Sequence, residues 1–84
     1  MNVATRISVD DTLAMLAEAF AETQPLAAEM RRDDIAGWDS MGALMLMAEL
    51  DDRFGLQLDA EQSRAMQTIG DVLDYLRRHG VLDG

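Results

Sequence analysis

The feature that most constrains the fold is residues 40–54, the longest and most apolar segment with helical periodicity. One apolar stripe, expected to be buried, spans an arc of about 100° and comprises Leu46, Met47, Leu50 and Phe54. A second apolar stripe, on the other side of the helix, comprises Met41, Leu44, Met45 and Ala48. A chain of 84 residues has room for only a few other helices, so we expect the second stripe to be partly exposed.

The start of this helix favours a hydroxyl group that carries a phosphate. A polar loop ends at Asp39, whose carboxylate can accept hydrogen bonds from the first backbone N–H groups and so cap the helix. Ser40 then lies at the positive end of the helix dipole, where an attached phosphate is stabilised. No His or Lys lies nearby in the sequence to activate the hydroxyl as a nucleophile. We therefore expect Ser40 to carry a phosphodiester rather than to attack a substrate.

Capping residues predict three further helices. Ser8 is the expected N-cap of the first helix, which should end near Glu22. Asp59 can cap a short helix over residues 60–66, and Thr68 opens the last helix. The sequence contains no strand-like alternation of any length. The pattern predicts an all-α four-helix bundle, with three main helices and one short one.

A long loop separates the first two helices. Periodicity fades over residues 23–39, and Pro25 prevents the first helix from continuing. A loop of this length needs side chains that anchor it to the bundle, and the candidates are Leu26, Met30, Ile35 and Trp38. We expect one domain over residues 1–84, with a flexible N-terminal arm at 1–7 and a C-terminal tail at 80–84.

The composition is strongly acidic and lacks cysteine. Sixteen acidic residues face seven basic ones, all of them Arg, which gives a formal net charge of −9. Such a surface repels nucleic acid and anionic membranes and favours basic protein partners. The alternative is that the acidic residues only promote solubility. Without Cys there is no disulfide framework. No apolar run reaches bilayer length and no secretory segment is evident, so we expect a cytoplasmic protein that is a monomer and does not insert into membranes.

The tripeptide Asp-Ser-Met at 39–41 resembles the Asp-Ser-Leu or Asp-Ser-Met signature of acyl carrier proteins. The resemblance covers nearly the whole chain and continues through Leu46, Leu50, 51–52, 54–56, 68–72 and 75–76. The commonest pattern has acidic residues in the first turns after the serine, whereas this chain has Gly42, Ala43 and Met45 there. It is therefore more similar to stand-alone Trp-Asp-Ser-Leu-Gly carriers of specialised pathways, and it also resembles D-alanyl carrier proteins.

The resemblance implies a function for Ser40 and its neighbour. Ser40 would accept 4′-phosphopantetheine from coenzyme A, and Asp39 would be read by the phosphopantetheinyl transferase that attaches it. The chain itself would not be an enzyme. It would hold a thioester-linked acyl group for fatty acid, polyketide or other specialised biosynthesis, or alternatively an aminoacyl group. The implied partners are that transferase, an acyl- or aminoacyl-loading ligase or transferase, and downstream synthases.

The second apolar stripe and the acids below it form the predicted docking surface for these partners. Apolar contacts would provide fit and the acids would steer association, and the residues are Met41, Leu44, Met45, Ala48, Glu49 and Asp52. A cargo cleft is expected between the second and third helices. Its candidate lining residues are Met41, Leu44, Leu58, Ala65 and Met66.

Other functions are less well supported by the residues. A serine hydrolase needs a base, but the one histidine, His79, lies at the end of the last helix, and Trp38 occupies the position of the first glycine in Gly-x-Ser-x-Gly. Asp33, Asp34 and Asp39 fit no EF-hand spacing, so no metal site is expected. An acidic helical adaptor, in which Ser40 is never modified, stays open as a second class of function.

Overall fold

The computed structural model describes residues 6–83, which form four helices and one pair of very short strands. In chain order these are β1 (Ile7–Ser8), α1 (Val9–Ala19), a 3₁₀ turn (Arg32–Asp34), α2 (Ser40–Phe54), α3 (Ala60–Ala65), α4 (Ile69–Arg78) and β2 (Leu82–Asp83). The four predicted helices are present and are compatible with a small helical bundle. Within this part of the chain, no helix has the length and apolar character needed to cross a bilayer.

The helices begin at the capping residues that the sequence indicated. The Asp11 amide donates to Ser8 Oγ at 3.0 Å, and both bonds of a capping box are present at Asp59 and at Thr68. The end of α1 differs, because the helix stops at Ala19 rather than near Glu22. Ala21 adopts a left-handed backbone conformation with φ of 52°, and the Glu22 amide bonds back to the Ala17 carbonyl at 2.8 Å. This arrangement closes the helix in the way that glycine usually does.

The strand pair is the feature that the all-α prediction did not include. Strands β1 and β2 are parallel, with Ile7 paired to Leu82 and Ser8 paired to Asp83. The side chains of Ile7 and Leu82 are both buried in the core. The predicted N-terminal arm therefore reaches the core at Ile7 and the predicted tail at Leu82, while residues 1–5 and 84 lie outside the described residues. A two-residue strand is too short to produce a detectable alternation in the sequence.

The core lies between α1, α2 and α4. Its fully buried members are Thr12, Leu16 and Phe20 from the first segment, Leu46 and Leu50 from α2, and Ile69, Val72 and Leu76 from α4. Each large apolar side chain buried in this way contributes roughly 1.5–3 kcal/mol relative to an exposed one. In α2, the predicted buried stripe is confirmed at Leu46 and Leu50, whereas Met47 and Phe54 are half-buried against the core.

The long loop is held down by side chains and by its backbone. Three of its predicted anchors are buried, and Met30 is half-buried; the buried ones are Leu26, Ile35 and Trp38. The amides of Ile69 and Gly70, at the start of α4, donate to the carbonyls of Met30 and Ala28 at 3.0 and 2.8 Å. Backbone hydrogen bonds from the start of α4 thus hold the loop that leads to Ser40, a connection that was not predicted.

Candidate functional site

Ser40 is the first residue of α2 and its side chain is exposed. The preceding residue caps the helix as predicted, because Asp39 Oδ1 accepts a hydrogen bond from the Gly42 amide at 2.9 Å. The Asp39 carbonyl also accepts from the Ala43 amide at 2.8 Å, which begins the helical hydrogen-bond series. The N–H groups of Ser40 and Met41 have no carbonyl four residues earlier within the helix. The hydroxyl therefore lies beside free donors at the positive end of a helix of 15 residues.

Ser40 differs from the other two serines of the chain. Ser8 is half-buried and its hydroxyl oxygen caps α1. Ser63, in α3, is only 3% exposed. Ser40 is the one serine of the three in the exposed class, so it is the serine at which a group could be attached without disturbing a cap or the core.

Two glycines flank Ser40 because backbone segments meet there. A Cβ atom on Gly42 would lie 1.9 Å from the carbonyl oxygen of Gly37, and one on Gly37 would lie 1.6 Å from the carbonyl oxygen of Phe20. Neither oxygen belongs to a side chain that could move away. The first turn of α2, the loop before it and the end of α1 are thus in direct backbone contact, which fixes the position of Ser40. Sequence reasoning missed this role, although two glycines bracketing the serine were a signal for it.

Trp38, two residues before Ser40, is buried and contacts both an aromatic ring and a cation. Its ring stacks on Phe20 with centroids 4.9 Å apart, and Arg32 Cζ lies 5.4 Å from the Trp38 ring centroid. Arg32 also donates from Nη1 to the Ser63 carbonyl at 3.1 Å and to the Met66 carbonyl at 3.4 Å. The prediction that Trp38 is a packing residue is confirmed. The role of Arg32, which joins the end of α3 to the loop before Ser40, was not predicted.

The second apolar stripe of α2 is exposed, as predicted, and is called the outer face below. Its members are Met41, 66% exposed, Leu44, 58% exposed, Met45, 46% exposed, and Ala48. Towards the C-terminal end of α2, Asp52 is exposed, whereas the Glu49 carboxylate accepts a hydrogen bond from Arg53 Nε at 2.7 Å. The negative charge available for steering therefore comes from Asp52 more than from Glu49, whose charge is partly balanced.

The residues predicted to line a cargo cleft are divided between the core and a different cavity. Leu58 and Met66 are buried, at 4% and 5% exposure, and pack in the core. Exposed Ala65 and the edge of Met66 line a cavity of about 310 Å³ shared with Tyr75 and Arg78 of α4. That cavity lies between α3 and α4 and does not include Met41 or Leu44. A cleft between α2 and α3 stays a prediction.

Tyr75, which lines that cavity, has an altered acidity. Burial raises the pKa of the Tyr75 hydroxyl above its usual 10.0, the negative charge of Asp59 raises it further, and Arg78 partly opposes them. The ring of Tyr75 is tilted against that of His79, with centroids 4.4 Å apart. His79 is the C-cap of α4 and is engaged there. Among residues 6–83, no group of three or more His, Asp or Glu side chains is arranged to hold a metal ion.

Comparison with known proteins supplies no family for this chain. A scan against protein-family models finds no match, and a search of solved structures finds no match either.

Proposed function

We propose that this chain is a carrier protein that holds a thioester-linked intermediate on 4′-phosphopantetheine attached to Ser40. The observation that carries the proposal is that Ser40 alone among the three serines is exposed, at the capped start of α2. The residues fit the group. Ser40 Oγ would form the phosphodiester, and the free N–H groups of the first turn would stabilise its negative charge. Asp39 keeps its carboxylate on the Gly42 amide and so maintains the turn.

The carrier itself performs no chemistry in this proposal. The prosthetic group supplies a terminal thiol on a flexible arm, and the protein supplies a fixed point of attachment. Backbone contact through Gly37 and Gly42 holds that point in place, and exposure of Ser40 leaves the arm free to leave the surface. A nucleophilic role for Ser40 has no support. It would need a base, and the one histidine, His79, packs on Tyr75 at the C-terminal end of α4.

The outer face of α2 is the proposed docking surface for partner enzymes. It lies immediately after Ser40 and combines exposed apolar side chains with the acid Asp52. The proposed partners are a phosphopantetheinyl transferase, an acyl- or aminoacyl-loading enzyme and downstream synthases. Met45→Glu should weaken their binding chiefly through faster dissociation, whereas Asp52→Lys should chiefly slow association. If Met45→Glu leaves the binding of every cognate enzyme unchanged, the outer face is not the docking surface.

Intact mass measurement tests the carrier function directly. Co-expression with a broad-specificity phosphopantetheinyl transferase should add the mass of one phosphopantetheine, and peptide mapping should assign it to Ser40. Ser40→Ala should receive none, and a known carrier loaded in the same cells controls for transferase activity. A chain that stays unmodified beside a loaded control is not a carrier. That result would favour an acidic adaptor that binds through the outer face.

The cargo is an acyl group in our proposal, with an aminoacyl group as the alternative. Both are held on the same arm at Ser40, so the geometry around the serine serves either. Mass analysis of the thioester released from holo-protein that was purified out of its native cells distinguishes them. A nitrogen-bearing cargo would assign the chain to aminoacyl transfer, and a nitrogen-free one to acyl transfer.

A further inference from the structure

Two methionine side chains close to Ser40 in the sequence are exposed to solvent. Met41 is the next residue and is 66% exposed, and Met45 is 46% exposed. They are four residues apart in α2, so their side chains are neighbours on one face of the helix, with Cβ atoms about 5–6 Å apart. By contrast, Met15 and Met66 are only 4% and 5% exposed. Access to sulfur therefore differs sharply between methionines of the same small protein.

The remaining described methionines are shielded to an intermediate degree. Met30 is half-buried, and its sulfur accepts a hydrogen bond from the Ala27 amide at 3.4 Å. Met47 is half-buried and packs against the core. The sequence contains no Cys, so thioethers are the chain's own sulfur groups available to an oxidant. Oxidation of methionine requires that the oxidant reach the sulfur, which here favours Met41 and Met45.

We propose that Met41 and Met45 form a peroxide-sensitive pair whose oxidation to methionine sulfoxide reversibly switches off the outer face of α2. The oxidant is a hydroperoxide. A sulfur lone pair attacks one peroxide oxygen, an S–O bond forms and the O–O bond breaks. With hydrogen peroxide, water leaves carrying both hydrogens; the sulfur loses two electrons and the peroxide gains them. Sulfoxide reductases specific for each sulfoxide epimer reverse the change. A dithiol supplies the two electrons and two protons, becoming a disulfide, and the sulfoxide oxygen leaves as water.

The position of the pair makes the change matter for access to Ser40. An enzyme that brings a phosphoryl donor to Ser40 Oγ must cover the adjacent Met41 and the next turn of the helix. A thioether is apolar and adaptable in such a contact, whereas a sulfoxide oxygen buried there without a donor loses its hydrogen bonds to water. We expect association to weaken by roughly tenfold or more. This consequence for loading rests on the proposed function, whereas the selective oxidation does not.

Peptide mapping of the apo-protein after graded hydrogen peroxide treatment tests the selectivity. Among the six methionines that the structure describes, Met41 and Met45 should gain oxygen first, and Met15 and Met66 last. Binding of the neutral apolar dye Nile red should fall in parallel and recover after treatment with both classes of methionine sulfoxide reductase. Met41→Leu/Met45→Leu should keep its dye binding in peroxide, while Met47→Leu, the matched control in the same helix, should lose it as the wild type does. Equal oxidation of all methionines, or dye binding that is unchanged by oxidation, would overturn the proposal.

Loading by the phosphopantetheinyl transferase tests the consequence. For each protein, kcat/KM for loading after peroxide treatment is divided by kcat/KM for loading of the untreated protein. The transferase is added only after the peroxide is removed. The ratio of kcat/KM should fall about tenfold for the wild type and for Met47→Leu, and should hardly change for Met41→Leu/Met45→Leu. A double variant that is inactivated like the wild type, or a loss that reductases do not restore, contradicts the switch. If the untreated protein is never loaded, the carrier function is contradicted instead. The dye measurement still decides whether oxidation of Met41 and Met45 switches off the outer face.

Discussion

Replacing Asp39 by Ala tests whether the helix cap and the proposed attachment residue, Ser40, are different residues. The change removes the carboxylate that accepts from the Gly42 amide at 2.9 Å and leaves that amide without its side-chain partner. Loss of an N-cap side chain costs about 1 kcal/mol, and loss of a negative charge at the positive end of the helix adds about 0.3–1 kcal/mol at an exposed position. A domain of this size should then melt roughly 5–16 °C lower. Ser40→Ala removes an exposed hydroxyl inside the first turn, where Ala suits a helix at least as well, so its effect should be only a few tenths of a kcal/mol.

The two variants are compared as unmodified proteins in thermal melts followed by helical circular dichroism. Asp39→Asn is the matched control, because its side-chain oxygen can still cap the helix while its charge is lost. It should recover most of the stability that Asp39→Ala loses. If Ser40→Ala melts lower than Asp39→Ala, Ser40 has a structural role and the assignment of the cap is wrong. In the proposed carrier function, Ser40→Ala should also abolish loading, whatever its stability.

Three further changes test the fold around the site. Gly42→Ala puts a Cβ atom 1.9 Å from the Gly37 carbonyl oxygen, so it should cost about 2 kcal/mol or more in urea unfolding; an unchanged midpoint would show that the two backbones are not in contact. Ala21→Gly relieves a left-handed alanine with φ of 52° and should raise the melting temperature by a few degrees, since that conformation costs about 1 kcal/mol; a lower melting temperature would contradict it. The raised pKa of Tyr75 means that folding favours the neutral phenol, so its stabilisation is present below pH 10.0 and is lost as pH rises through the folded-state pKa. Tyr75→Phe should remove that part of the alkaline loss in urea titrations, and an identical alkaline profile would refute the assignment.

The exposure of the outer face shows what the sequence pattern predicts and what only the tertiary structure decides. The sequence shows that α2 has two apolar stripes, but its periodicity is the same whichever stripe is buried. The predicted buried stripe was confirmed at Leu46 and Leu50, and the other one is exposed at Met41 and Met45. Only the packing of α1 and α4 against one side decides this. The prediction succeeded because a chain this short has too few helices to cover both sides.

Sequence alone determined the helix starts and the candidate attachment residue. A cap joins a side chain to an amide three residues later, as Asp39 does to Gly42 and Thr68 does to Asp71, so the signal lies within four consecutive residues. The same locality makes Ser40 recognisable at the beginning of α2. The end of α1 was missed because Ala21, unlike glycine, gives no sign that it adopts a left-handed conformation.

Tertiary structure alone decided the contacts between residues that are distant in the sequence. Parallel pairing of Ile7 with Leu82 joins the two ends of the described chain, and nothing local in either two-residue segment specifies its partner. The close approach of Gly42 to Gly37 and the reach of Arg32 to the end of α3 likewise depend on where whole elements lie. Such contacts form because burying the core brings the elements together, and the backbone groups that meet must then be paired or given room. Composition and periodicity record which residues prefer burial, whereas these pairings are fixed only once the core has formed.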